Sequence, residues 1–344
     1  MKRKHSLTRR QMLQTGAASL AGLSLSSSLC AQETKPLRAG IIGLDTSHVT
    51  AFTQVLNNPK NEGDLAGVRV VAGFPAGTDI PASKDRVAGF TKTLREKYMI
   101  EIVDSIDDLL KKVDVVLLES VDGRPHLAQA KPVFKAGKPV FIDKPVAGSL
   151  ADAIQIYDLA KQTKTPCFSS SSLRFAPSVH EARTNPKVGD ILGCDTYGPS
   201  PLEPTHPDLF WYGIHGVEML FAIMGVGCES VTRVFTKETD KVIGAWKGGR
   251  IGSFRGIRAG KADYGATVFG KAGVAPVSGS GGYTPLLVEI AKFFKTGKPP
   301  VSAEETVELF AFMEAADESK RKSGAPVTID AVMAKARDEI SKRK

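Results

Sequence analysis

The chain has 344 residues, 42% of them hydrophobic and 24% charged, with a formal net charge of +9. Five of those positive charges, Lys2, Arg3, Lys4, Arg9 and Arg10, lie in the first ten residues; the +4 that remains is ordinary for a globular enzyme, with no basic stripe interleaved with aromatics, and argues against a nucleic-acid surface. Of four cysteines only Cys167, Cys194 and Cys228 follow the N-terminal segment, an odd number without metal-ligand spacing, so neither a disulfide framework nor a metal is expected.

Residues 1–35 read as an address. Thr8-Arg9-Arg10-Gln11-Met12-Leu13 resembles the twin-arginine pattern, an apolar stretch follows over 16–29, and no acid precedes Glu33. The expectation is an exported, periplasmic protein cleaved near Ala31, with the Sec route as the alternative. No later apolar run is long enough to span a bilayer.

From Leu37 the pattern alternates. A strand over 37–43, a helix over 50–56 and a strand over 68–72 make a βαβ unit. Surface helices follow over 83–98 and 105–111, then a buried strand over 113–118, a helix over 125–136, a strand over 140–142, a helix over 149–162 and a strand over 166–169. This predicts a doubly wound, mostly parallel sheet over 36–172, an α/β fold. After about residue 178 strand follows strand, over 231–236, 241–246, 250–257 and 264–270, with a hairpin at Gly248-Gly249 and an embedded helix over 213–224. Helices over 285–295 and 303–323 are expected to close this second, α+β domain of mostly antiparallel sheet, 173–344.

The most informative stretch is Val140-Phe141-Ile142-Asp143-Lys144-Pro145. Ligands of an open α/β sheet bind outside the carboxyl ends of its strands, so a charged pair ending a buried strand points into that crevice. Pro145 stops the strand and biases Lys144 toward an extended backbone. A solvated strand-end lysine is the alternative.

Asp143-Lys144-Pro145, after Gly137-Lys138-Pro139-Val140-Phe141-Ile142, resembles the Glu-Lys-Pro signature of the Gfo/Idh/MocA oxidoreductases. His126 with Ala128 and Ala130, Leu173-Arg174-Phe175-Ala176-Pro177, and Gly213-Ile214-His215-Gly216-Val217-Glu218 resemble further motifs of that family, in order, over most of the chain from Leu37. The resemblance implies a Rossmann-type domain binding NAD or NADP, a second domain for substrate and oligomerisation, and a sugar, cyclitol or glycoside substrate. It gives Lys144 the role of polarising a substrate hydroxyl and His215 that of accepting its proton. An open antiparallel sheet would suit a homo-oligomer.

Three departures stand against the cofactor. The family's Gly-x-Gly-x-x-Gly reads Gly43-Leu44-Asp45-Thr46-Ser47-His48, and a carboxylate about 4 Å from a phosphate charge costs roughly 4 kcal/mol at a protein surface. No acid or arginine ends the second strand, Ala72-Gly73-Phe74-Pro75-Ala76-Gly77, and Asp79 is the nearest acid. The family's Asp-x-x-x-His has Trp211 in place of its acid, which leaves His215 without an orienting carboxylate and near its ordinary pKa, and offers a sugar ring an apolar face. Gly43, Asp45, Thr46, Ser47, His48, Asp143 and Lys144 are the candidate cofactor contacts, with helix capping the alternative for Asp45, Thr46 and Ser47. Two other functions stay open: a carbohydrate-binding protein that has lost the cofactor, and redox-neutral glycoside cleavage with a tightly held NAD.

Overall fold

The computed structural model describes residues 35–279 and 281–343. The leader reading on residues 1–34 lies outside them. Among the described residues no helix is long and apolar enough to cross a membrane.

Six parallel strands form the first sheet: β1 (Leu37–Ile42), β2 (Val68–Phe74), β3 (Glu101–Ile102), β4 (Val115–Leu118), β5 (Val140–Ile142) and β6 (Cys167–Ser169), in the order β3-β2-β1-β4-β5-β6. The order reverses between β1 and β4, so the crevice lies where those two strands end. Its crossover helices are α1 (Ser47–Leu56), α2 (Pro81–Tyr98), α3 (Ile106–Lys112), α4 (His126–Lys135) and α5 (Leu150–Thr163). Ser105 and Ser149 cap α3 and α5, each accepting from a backbone N–H three residues on.

Alternate residues of these strands enter two cores. Ile42, Val116, Leu118, Val140 and Ile142 face one way, with Phe134 of α4 and Ile154 of α5. Ile41, Val70, Leu117, Phe141 and Phe168 face the other, where α8 (Thr284–Thr296) buries Leu286, Leu287, Ile290 and Phe293. The sequence places this helix on the second sheet; the structure returns it to the first, because β6 is followed by no crossover helix and its Phe168 needs a cover, which Phe293 supplies edge-on at 4.9 Å.

The second sheet has seven strands. β7 (Ile191–Pro199), β8 (Cys228–Phe235), β9 (Thr239–Trp246), β10 (Arg250–Ile257), β11 (Gly265–Gly270), β12 (Val274–Ser278) and β13 (Val327–Thr328) run in the order β12-β11-β7-β10-β9-β8-β13, antiparallel except for β7 beside β10. Helix α6 (Pro177–Thr184) leads into β7, and α7 (Ile214–Met224) crosses the inner face, where a Cβ on Gly216 would sit 2.2 Å from the Phe254 ring. Helix α9 (Ala303–Arg321) packs beside α7, and α10 (Ile329–Lys342) follows β13 and packs on α9 and α5. From Pro36 onward the described residues form one compact unit.

Candidate functional site

At the β1–α1 turn, Gly43 is needed for its conformation and its size. Its φ is +88°, and a Cβ there would stand 2.3 Å from Ser120 Oγ. Thr46 caps α1 by accepting from the His48 N–H, and Ser47 is exposed at the first helical position. Asp45 turns inward and is fully buried: one carboxylate oxygen accepts from the Val121 N–H at 2.9 Å, the other from Ser83 Oγ–H at 2.6 Å. Burial pushes its carboxyl above the usual range, against those two hydrogen bonds.

Asp45 therefore stitches the loop after β1 to the loop after β4 and to the start of α2, across the point where the strand order reverses. Arg124 adds a second link, bidentate to Asp122 and 3.1 Å from Asp79, which takes up the nearest acid to the end of β2. A dinucleotide in a Rossmann fold lays its pyrophosphate across this same point. With Asp45 seated, the residues present do not fit that group.

His48, at the position of the third glycine, also points inward. Its ring stacks on Phe52 at 5.2 Å and meets Tyr283 edge-on at 4.8 Å, and its Nδ1 lies 2.6 Å from Asp143 Oδ2. Asp143 is thus paired below the crevice floor. Burial pushes its carboxyl up, but His48 and Lys144 more than offset this and hold it below the usual range. Beside it stands Glu119, which ends β4 as Asp143 ends β5 and is pushed well above the usual range by burial and by Asp143.

Lys144 and His215 line one cleft of about 260 Å³ together with Trp211, Tyr212, Tyr264 and Tyr283. The Lys144 ammonium lies 5.8 Å from the Tyr212 ring centroid. Trp211 and Tyr212 belong to a π-helical stretch, Leu209–Gly213, whose preceding Asp208 is tied to Arg233 at 2.8 Å and Lys320 at 2.6 Å. His215 Nδ1 lies 2.8 Å from Ser171 Oγ, so the orienting partner missing at position 211 comes from the loop after β6. The expectation of an ordinary imidazole pKa does not hold: burial, then Lys144 and His48, hold His215 well below it, so the ring is neutral. In the tautomer that donates Nδ1–H to Ser171, Nε2 keeps its lone pair.

Other motif residues brace the cleft without lining it. Arg174 bonds Glu218 at 2.7 Å and Glu305 at 2.5 Å in the interior, and His126 Nε2 lies 2.9 Å from the Ser120 carbonyl. Ser171, Glu119 and the three tyrosines escape the sequence reading. Ser171 sits in a serine run that shows only as low complexity, and Glu119 carried a usable signal as an acid closing the apolar run Val115–Leu118. A larger groove of about 870 Å³ between α5, α9 and α10 holds neither Lys144 nor His215.

Residues 37–170 match the family described as "Oxidoreductase family, NAD-binding Rossmann fold", Gfo/Idh/MocA. A protein of Salmonella typhimurium named as an oxidoreductase, YceM, is 30% identical over 172 residues, 49% of this chain and 50% of that one. An uncharacterized oxidoreductase of Streptococcus pneumoniae is 26% identical over 41% of this chain and 42% of its own length, so the chain spans half or less of these curated relatives. The myo-inositol 2-dehydrogenase of Lactobacillus plantarum shares the fold at TM-score 0.71 and 17% identity, over 86% of this chain and 99% of its own. The scyllo-inositol dehydrogenase of Lactobacillus casei with bound NAD(H) and scyllo-inositol does so at TM-score 0.70 and 15% identity, over 86% and 100%. Residues 37–170 are thus similar to the NAD-binding part of the Gfo/Idh/MocA oxidoreductases, and the chain as a whole shares the fold of the inositol dehydrogenases.

Proposed function

We propose that this chain binds a polyhydroxylated small molecule, of the sugar, cyclitol or glycoside class, in the cleft between its two sheets and moves a proton on it. The observation that carries this is the meeting of the Lys144 ammonium and a neutral, Ser171-oriented His215 in one cleft walled by aromatic rings. A volume of about 260 Å³ suits a monosaccharide-sized ligand, being just below the range for drug-sized ones. His215 Nε2 takes a proton from a carbon next to a carbonyl of the substrate, so that an enolate forms. Lys144 stabilises the negative charge left on oxygen, and the proton returns from His215 with no net change of oxidation state. Export by the twin-arginine-like leader belongs to this reading, and a periplasmic reporter fused to residues 1–35 tests it.

The second reading is dinucleotide-dependent oxidation of the same substrate, favoured by the retained Gly43 turn and by the exposed Ser47 at the start of α1. It requires Asp45 to leave Val121 and Ser83, and with Asp79 taken up by Arg124 it favours neither NAD nor NADP.

The test begins with protein purified without added cofactor, denatured and assayed for released NAD(H) and NADP(H) by mass spectrometry. Sugars and cyclitols are then incubated with it in D2O. Deuterium on substrate carbon with no dinucleotide released supports the first reading. Stoichiometric dinucleotide moves the conclusion to the second, and failure of every polyol to bind at millimolar concentration overturns both.

A further inference from the structure

We propose that His48, Glu119 and Asp143 form a binding site for one divalent transition cation, of the Mn2+, Fe2+ or Zn2+ class. The three residues stand at the carboxyl ends of neighbouring strands. His48 is in the first turn after β1, Glu119 directly follows β4 and Asp143 directly follows β5, and the sheet order places these three strands side by side. One ligand atom from each residue lies within 4.8 Å of the other two.

Glu119 is wholly buried and neither of its oxygens has a hydrogen-bond partner; Asp143 Oδ1 likewise has none. A buried carboxyl without a partner loses its hydration and gains nothing in return, and native interiors rarely leave one so. Glu119 Oε2 is 3.8 Å from His48 Nδ1, which itself is 2.6 Å from Asp143 Oδ2. Ligands about 2.1 Å from a metal at tetrahedral or octahedral angles stand roughly 3.0–3.4 Å from one another, between those two separations. All three pairs lie within 4.8 Å, so side-chain shifts of about 1 Å bring the three groups onto one ion.

The donor set selects the class. One imidazole and two carboxylates suit Mn2+, Fe2+ and Zn2+, whereas Ca2+ and Mg2+ prefer oxygen alone. The imidazole is aligned by Phe52 and Tyr283, which fix the ring as outer contacts of a metal site do. His48, Asp143 and Tyr283 also line the Lys144 cleft, so an ion there would stand at its floor. Cysteine spacing gave no hint of this, because the ligands are histidine and carboxylates joined only by the sheet, His48 and Asp143 being 95 residues apart.

The test needs no substrate, so its outcome is separate from that of the proposed function. Full mature protein is stripped with a chelator, dialysed and titrated with Mn2+ while free ion is followed by electron paramagnetic resonance; Zn2+ loading is measured in parallel by elemental analysis. The expected result is one saturable ion per chain, a raised unfolding temperature, and spin-echo modulation from a single imidazole nitrogen. Glu119→Gln and Asp143→Asn should each weaken binding by roughly tenfold or more, with the circular dichroism of the metal-free protein unchanged. Absence of a saturable site up to millimolar Mn2+ and Zn2+ overturns the proposal. So does a bound ion without the imidazole signature, which can be read on the parent protein alone, or a folded Glu119→Gln that binds as the parent does.

Discussion

Replacing Asp45 by glycine should weaken the fold and open the crevice at once. The substitution removes the acceptor of the Val121 N–H at 2.9 Å and of Ser83 Oγ–H at 2.6 Å, both inside the protein. Hydrogen bonds to a charged group contribute about 1.5–3 kcal/mol each, so the loss should come to roughly 3–6 kcal/mol, a large part of the ~5–15 kcal/mol that holds a typical domain together. The same change restores the second glycine of the fingerprint and removes the tie that braces the switch point shut. With that tie gone, dinucleotide affinity should rise by about tenfold or more, each tenfold being about 1.4 kcal/mol. Urea unfolding followed by circular dichroism measures the first effect and calorimetric titration with NAD and NADP the second. A variant that unfolds at the parent's urea midpoint would show that the Asp45 contacts contribute nothing. A parent that already binds NAD as tightly as the variant would show that Asp45 does not close the switch point.

Lys144→Ala should abolish proton exchange on the substrate; equal exchange rates in parent and variant would remove Lys144 from the chemistry. Because His215 is held well below its ordinary value of about 6.5, it is neutral through the physiological range, and the acid limb of the pH–rate profile should fall below that value and disappear in His215→Gln. Phe293→Ala should cost about 3–5 kcal/mol in urea unfolding, because the ring fills the space over Phe168. Burial pushes the Asp122 carboxyl up, but contacts from His206 and Arg124 more than offset it and hold the group far below its usual value. Its contribution is therefore present above about pH 4 and lost as pH falls further, and the stability of Asp122→Asn should change less over that acid range.

Five of the first sheet's six strands were legible because each is a short, β-branched or apolar run set between helices; the two-residue β3, Glu101–Ile102, carries no such run and was not. Local chemistry and final position agree there. Lys144 was legible for the same reason: a strand end followed by proline admits few placements. The strand β7 and the helix α10 are not marked in this way. Half of each β7 pair faces solvent, and its parallel neighbour β10 lies far along the chain, so the sequence around it carries no trace of the pairing.

By itself the sequence determined the two-sheet architecture, the family likeness and the pair Lys144 and His215, since each rests on residues whose meaning is local. Only the tertiary structure decided what Asp45, His48 and Ser171 do. A carboxylate in the fingerprint repels a phosphate if it faces the crevice and braces the crevice shut if it turns inward, and the choice depends on Ser83 and Val121, supplied by other loops. Likewise Ser171 orients His215 from 44 residues away, and Glu119 meets Asp143 because β4 and β5 are adjacent. Side-chain direction at a strand end is set by neighbours across the sheet, and those neighbours exist only once the chain has folded.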